Sequence, residues 1–128
     1  MTVTEKRLTV VIADDDPFLR EMLRLLLRTD VYDVIGEASN GAVALDLCRK
    51  LRPDVALLDI NMPIKDGLAV LEELKALNSR SQVVMMSTEA TLDRVKLAVA
   101  KGAQGFIVKP FTAGNVLNEL HDRLQRTS

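Results

Sequence analysis

The sequence predicts an α/β fold of the doubly wound kind: a parallel five-stranded sheet with helices on both faces, a three-layer (βα)5 sandwich. Short apolar runs rich in β-branched residues alternate five times with segments whose aliphatic residues recur at helical spacing. Each run stops at or just before a charged or hydroxyl-bearing residue, as buried strands do at the rim of a parallel sheet. The length of 128 residues and the hydrophobic content of 48% fit one domain, spanning 1–128 with a core at about 8–124. A domain of this size hides about two thirds of its potential surface, so the core needs no disulfide or structural metal.

Leu8 to Ala13 is the first strand, stopped by Asp14, Asp15 and Asp16. Pro17 suits the first turn of a helix with Asp16 as its cap, and Leu19, Leu23, Leu26 and Leu27 carry that helix to about Arg28. Asp33 to Ala38 is the second strand, broken by Asn40 and Gly41. Ala42 to Leu51 is helical, with Ala44, Leu45, Leu47, Cys48 and Leu51 on its apolar side. Val55 to Leu58 forms a third strand that ends on Asp59, and a loop covers 60–67. Leu68 to Leu77 is the third helix, burying Val70, Leu71, Leu74 and Leu77. Gln82 to Met86 is a strand ending at Ser87. Glu89 to Lys101 reads as a helix with a thin apolar face of Leu92, Val95, Val99 and alanines. Gly105 to Val108 is the fifth strand, followed by Lys109 and Pro110. Thr112 caps a last helix that turns Val116, Leu117, Leu120 and Leu124 inward, and the Arg126–Ser128 tail is expected to fray.

Several classes of function drop out. The 17 basic and 18 acidic residues leave no overall basic field for nucleic acid. The polar start, Met1 to Arg7, lacks the apolar stretch of a signal peptide, and no run approaches the roughly 18 apolar residues of a membrane span. A cytoplasmic protein is expected. Cys48 stands alone, without a disulfide partner or a CxxC pair, and reads as a buried helix residue. No GxxxxGK[ST] or GxGxxG loop is present to hold a nucleotide. His121 is the one histidine, which excludes a histidine-rich metal site, and it is expected on a solvated face.

The topology supplies the functional signal. All carboxyl ends of a parallel sheet share one edge, and ligands bind beyond it near the reversal of strand order. Asp14 and Asp15, Asp59, Ser87 and Lys109 follow the first, third, fourth and fifth strands, so residues up to 95 positions apart should meet there. Packed carboxylates repel one another unless a cation draws them in, and hard oxygen donors around a small site suit magnesium. A fixed lysine charge and a serine hydroxyl beside them suit a phosphoryl group carried on a carboxylate.

These residues sit in four segments, VVIADDDP at 10–17, LLDINMPIKDG at 57–67, MSTEA at 86–90 and GFIVKPF at 105–111, and with them the sequence resembles a bacterial two-component response-regulator receiver domain of the freestanding chemotaxis type. The resemblance covers about Leu8 to Leu124 and implies a flavodoxin-like sheet of order 2-1-3-4-5. By position it implies that Asp59 is the phosphoacceptor. Asp15, Asp59 and the backbone carbonyl of Asn61 would hold magnesium, with Asp14 acting largely through ordered water. Ser87 and Lys109 would bind the phosphoryl group, and the Lys109–Pro110 peptide would be cis. Asp16 is left with the task of starting the helix.

Further implications concern kinetics and output. Asn61 and Glu89 occupy the family's rate-tuning positions beside the attacking water. Ser87 and Phe106 would be the switch pair, Phe106 standing where tyrosine is frequent and therefore unable to donate a hydrogen bond. The donor would be a sensor histidine kinase or phosphotransfer protein. A downstream protein would read the face of the fourth helix, fifth strand and fifth helix, without direct nucleic-acid contact or membrane insertion. Such a domain is no ordinary enzyme, yet it promotes its own phosphorylation and dephosphorylation. Three other readings share these residues: the receiver of a larger DNA-binding regulator or hybrid kinase, a receiver that only binds, and a haloacid-dehalogenase-like phosphatase. For the last, Asp14 and Asp16 mimic a DxDxT start, but Phe18 stands where threonine is needed.

Overall fold

The computed structural model describes residues 7–89 and 91–124; the predicted polar start at Met1–Lys6, Ala90 and the predicted fraying at Arg126–Ser128 lie outside the described residues. The chain runs β1 (Leu8–Ala13), α1 (Pro17–Leu27), β2 (Tyr32–Ala38), α2 (Gly41–Leu51), β3 (Val55–Asp59), α3 (Gly67–Ala76), β4 (Gln82–Ser87), α4 (Leu92–Ala100), β5 (Gly105–Val108) and α5 (Ala113–Arg123). The strands form one parallel sheet in the order β2-β1-β3-β4-β5. Between Val10 and Val11 the β1–β2 register shifts, leaving Ile35 unmatched on the β2 side.

Strand alternation sorts the core into two layers. Val10, Ile12, Val55, Leu57, Val84 and Met86 turn to one face, where α1 and α5 cover them with Leu23, Leu27, Val116 and Leu120. Val11, Ala56, Leu58, Val83 and Met85 turn to the other, under Ala44, Leu45 and Cys48 of α2 and Val70, Leu71 and Leu74 of α3. Full burial of each large aliphatic side chain contributes roughly 1.5–3 kcal/mol. Short polar side chains start the helices: Asp16 accepts from the amides of Phe18 and Leu19, Asn40 from Val43, Asp66 from Ala69, Thr91 from Arg94 and Thr112 from Asn115.

The fourth helix departs most from the sequence reading. It begins at Leu92, not Glu89, because the Thr91 hydroxyl satisfies the amide of Arg94 and Glu89 remains in the preceding loop. Its expected inner residues Leu92 and Val99 are 68% and 57% exposed, and Ala98 is its one buried residue. Leu77 and Leu51, also expected inside, are exposed where their helices end. α3 starts one residue early, at Gly67, whose amide donates to the carbonyl of Ile60 at 2.9 Å.

Gly67 earns its place by contact. A Cβ there would lie 2.3 Å from the carbonyl oxygen of Asp59, so only glycine lets α3 pack this close to the end of β3. Gly67→Ala should therefore destabilise the fold by about 2 kcal/mol in urea denaturation. Gly114→Ala, with nothing within 4 Å of the added atom, should leave the midpoint unchanged or raise it.

Candidate functional site

The reversal of strand order lies between β1 and β3, and the carboxyl ends of these strands deliver Asp14, Asp15 and Asp59 to one spot. One carboxylate oxygen from each lies within 4.8 Å of the others. Asp14 is fully buried and Asp59 is 5% exposed, whereas Asp15 opens to solvent. Lys109 arrives from the end of β5: its Nζ is 2.5 Å from Oδ2 of Asp14 and 3.3 Å from Oδ2 of Asp59. The peptide from Lys109 to Pro110 is cis.

Ser87 sits in the same rim, fully buried. Its carbonyl accepts from the amide of Lys109 at 2.8 Å, which ties the serine and lysine backbones together. Its hydroxyl oxygen accepts from the amide of Glu89 at 2.9 Å, leaving the hydroxyl proton to donate elsewhere. Asn61 is exposed on the loop after β3, and its amide reaches Oδ1 of Asp59 at 3.4 Å. Glu89 is exposed and pairs with Arg94 at 3.2 Å. Phe106, two strand residues further from the rim than Val108, is half-buried against the layer covered by α2 and α3. The predicted residues thus fall into an inner group of Asp14, Asp15, Asp59, Lys109 and Ser87, with Asn61 and Glu89 on the flanking loops.

The inner group is electrostatically unbalanced. Burial pushes the Asp59 carboxyl above the usual range and the charge of Asp14 raises it further; Lys109 and the Asn61 amide pull it back only in part. For Lys109 burial opposes the charge, but the hydrogen bond to Asp14 and the charges of Asp59 and Asp14 outweigh it, and its pKa lies above the ordinary lysine value. One ammonium faces three carboxylates. Such an all-oxygen set, half buried and short of positive charge, fits a small divalent cation.

Other contributors carry weaker sequence signals. Arg20, four residues past the Asp16 cap, donates from Nη1 to the carbonyl of Asp14 at 2.6 Å and lies 3.4 Å from Glu37. Its helical spacing from the cap was the available clue. Ile64 has φ 71°, unusual for a β-branched residue, in a turn closed by the Lys65 amide on the Pro63 carbonyl at 2.8 Å. His121 is exposed as expected but not merely solvated: its Nε2 lies 2.9 Å from Oδ2 of Asp30.

With this geometry, comparison with known proteins is informative. The family profile described as the response regulator receiver domain matches residues 10–121. The chain belongs to that family. It is 36% identical over 115 residues to the chemotaxis protein CheY of Bacillus subtilis, covering 90% of this chain and 96% of that one. A CheY of Borrelia burgdorferi, solved in complex with CheX, BeF3 and magnesium, superposes with a TM-score of 0.88 at 28% identity, over 91% of this chain and 89% of that chain. The receiver domain of a NarL regulator from Mycobacterium tuberculosis superposes at 0.87 with 34% identity, over 92% and 96%. The receiver thus belongs with two-component signal-transduction proteins and is similar to chemotaxis regulators. Receiver domains bind magnesium, and the donors present here suit it. No helix among the described residues is long and apolar enough to cross a membrane.

The raised pKa of Asp59 has a stability consequence. The folded state holds this proton more tightly than the unfolded one, so ionisation costs stability at neutral pH. Below the ordinary aspartate pKa both states are protonated and the cost vanishes. In chelator at neutral pH, Asp59→Asn should therefore raise Tm. The gain should fade as pH falls through the folded pKa of Asp59, measured by thermal denaturation at a series of pH values.

Proposed function

We propose that this receiver is a phosphorylation-operated switch in which Asp59 accepts a phosphoryl group. The observation that carries the reading is the meeting of Asp14, Asp15, Asp59 and Lys109 from three strand ends at one rim. The donor is a phosphohistidine on a sensor kinase or phosphotransfer protein, or a small phosphodonor such as acetyl phosphate. A carboxylate oxygen of Asp59 attacks phosphorus; the O–P bond forms as the P–N bond of phosphohistidine breaks, and the imidazole departs with its electron pair and takes up a proton.

Asp15, Asp59 and the carbonyl of Asn61, with Asp14 behind them, would hold magnesium, whose charge when bound offsets repulsion between the carboxylates and the incoming phosphoryl group. Lys109 adds a second fixed cation on the phosphoryl oxygens, and the free hydroxyl proton of Ser87 is available to donate to them. The buried rim limits water to the exposed side, where Asn61 and Glu89 stand. Those two residues tune the later hydrolysis of the acyl phosphate by water.

The output follows from the backbone link between Ser87 and Lys109. A hydroxyl drawn toward the phosphoryl group pulls on the β4–α4 loop, next to the helix with the thinnest packing, and Phe106 fills space vacated there. A downstream protein reads α4, β5 and α5, where Leu92, Leu97, Val99 and Val108 are exposed. The donor approaches the other side of the rim, along α1, whose Phe18, Met22 and Leu25 form an exposed stripe at helical spacing.

Incubation with acetyl phosphate and magnesium should yield one acid-labile phosphate per chain on a phosphate-affinity gel. Chelator or Asp59→Asn should abolish it, and Lys109→Ala should slow it by about tenfold or more. Label that survives Asp59→Asn but disappears with Asp14→Ala would sink the reading and favour a phosphatase-type nucleophile.

A further inference from the structure

The edge of the sheet opposite the acidic cluster carries a groove of about 500 Å³. It lies where α2 and α3 end and where the chain enters β3 and β4, so the length of a five-residue strand, roughly 13–17 Å, separates it from Asp59. Arg49, Arg52 and Arg80 line it, over an apolar base that includes Pro53, Leu74 and the half-exposed Leu77. The chain turns through left-handed conformations at Arg52, φ 47°, and at Asn78, φ 55°, on its two sides.

The arginines are unusual in being unpaired. Arg20, Arg24, Arg94 and Arg123 each lie beside a carboxylate, and Arg7 donates to the carbonyls of Asp30 and Tyr32. Arg28, Arg49, Arg52 and Arg80 have no such partner among the described residues, and three of those four line this groove. The acid that also lines it, Asp54, has one oxygen engaged elsewhere: Oδ2 accepts from the amide and hydroxyl of Thr9 at 2.8 and 3.1 Å. Cations near a helix carboxyl end are favourable, which accounts for Arg49 and Arg52 at the end of α2. Arg80 lies on the segment entering β4, beyond the end of α3, and that argument does not reach it.

We propose that the groove docks an acidic segment of a partner protein, with carboxylates on the three guanidinium groups and an aliphatic side chain against Leu74, Leu77 and Pro53. Guanidinium groups suit the two-pronged geometry of carboxylates, and the apolar base calls for a hydrocarbon group that an inorganic anion lacks. The groove contains neither Ser87 nor Phe106 nor any residue of β5. Docking there is consequently indifferent to the state of Asp59: it is a standing tether, separate from the switch.

The test uses the full chain and a fluorescein-labelled peptide, Glu-Asp-Leu-Glu-Asp-Leu-Asp-Glu, followed by anisotropy and by amide NMR shifts. Saturable binding is expected, with shifts confined to 48–54 and 74–81. Arg49→Gln with Arg80→Gln should weaken it about tenfold, as should raising salt from about 50 to about 500 mM. Magnesium with beryllofluoride should leave the affinity unchanged. Undiminished binding to the double variant, shifts centred elsewhere, or equal binding of a peptide with serine in place of leucine would overturn the proposal. So would inorganic pyrophosphate displacing the peptide at lower concentration than the peptide itself requires, which would make this a small-anion site. Should the double variant fail to fold, Arg52→Gln alone and the salt dependence of the unaltered chain decide the matter.

Discussion

Two buried carboxylates, Asp14 and Asp59, share one ammonium, and the organisation of the rim follows from that shortage of positive charge. The repulsion is sustained because neither acid can move away. Asp14 is held by the strand to which it is joined, by the Asp16 amide on its Oδ1 at 2.9 Å and by Arg20 on its carbonyl. Asp59 is paired with Met86 of β4 and closed in by Gly67, whose missing side chain allows the approach. The hydrophobic layers on both sides of the sheet stabilise this strained arrangement. Removing the charge favours folding, whereas adding a cation or moving charge onto phosphorus changes the balance of forces at the rim. A charge held at Asp59 therefore works against stability, as at many functional sites.

The same geometry explains why the consequences of a change at Asp59 can extend beyond it. Lys109 is bonded through its side chain to Asp14 and through its backbone to Ser87, so it connects the acid pair with β4. Ser87 in turn accepts from Glu89, at the start of the loop into α4. Each link is one hydrogen bond or ion pair, and Glu89 in turn pairs with Arg94 of α4, the helix that buries the fewest residues. The segment at the end of this chain of contacts is held by little buried surface of its own.

Much of this was legible in the sequence because it rests on periodicity and strand ends. Short apolar runs located every strand within a residue, and the polar residue ending each run located the rim. What was not legible depended on tertiary detail. The start of α4 was misplaced because Glu89 is a good helix former, while the deciding factor was the Thr91 hydroxyl on the Arg94 amide. The exposure of Leu92 and Val99 was hidden because an apolar residue at the correct spacing does not reveal whether a facing surface exists. Arg20 had only its helical spacing from the Asp16 cap to point to it, and the turn at Ile64 escaped because a positive φ leaves no local signal at a position held by neither glycine nor asparagine.

The two ends of the sheet carry opposite charge problems. At the carboxyl edge anionic groups lack cations, and at the amino edge arginines lack anions. Parallel strands make this possible, since every loop at one edge leaves a strand and every loop at the other enters one. Substitutions at one edge need not alter the register that aligns the other. The rim around Asp59 is coupled through Lys109 and Ser87 to a thinly packed helix, while the groove between α2 and α3 rests on Leu74 and Cys48 in the well-packed layer. The packing thus sets one end of the sheet on a well-filled layer and the other beside the helix that buries the fewest residues.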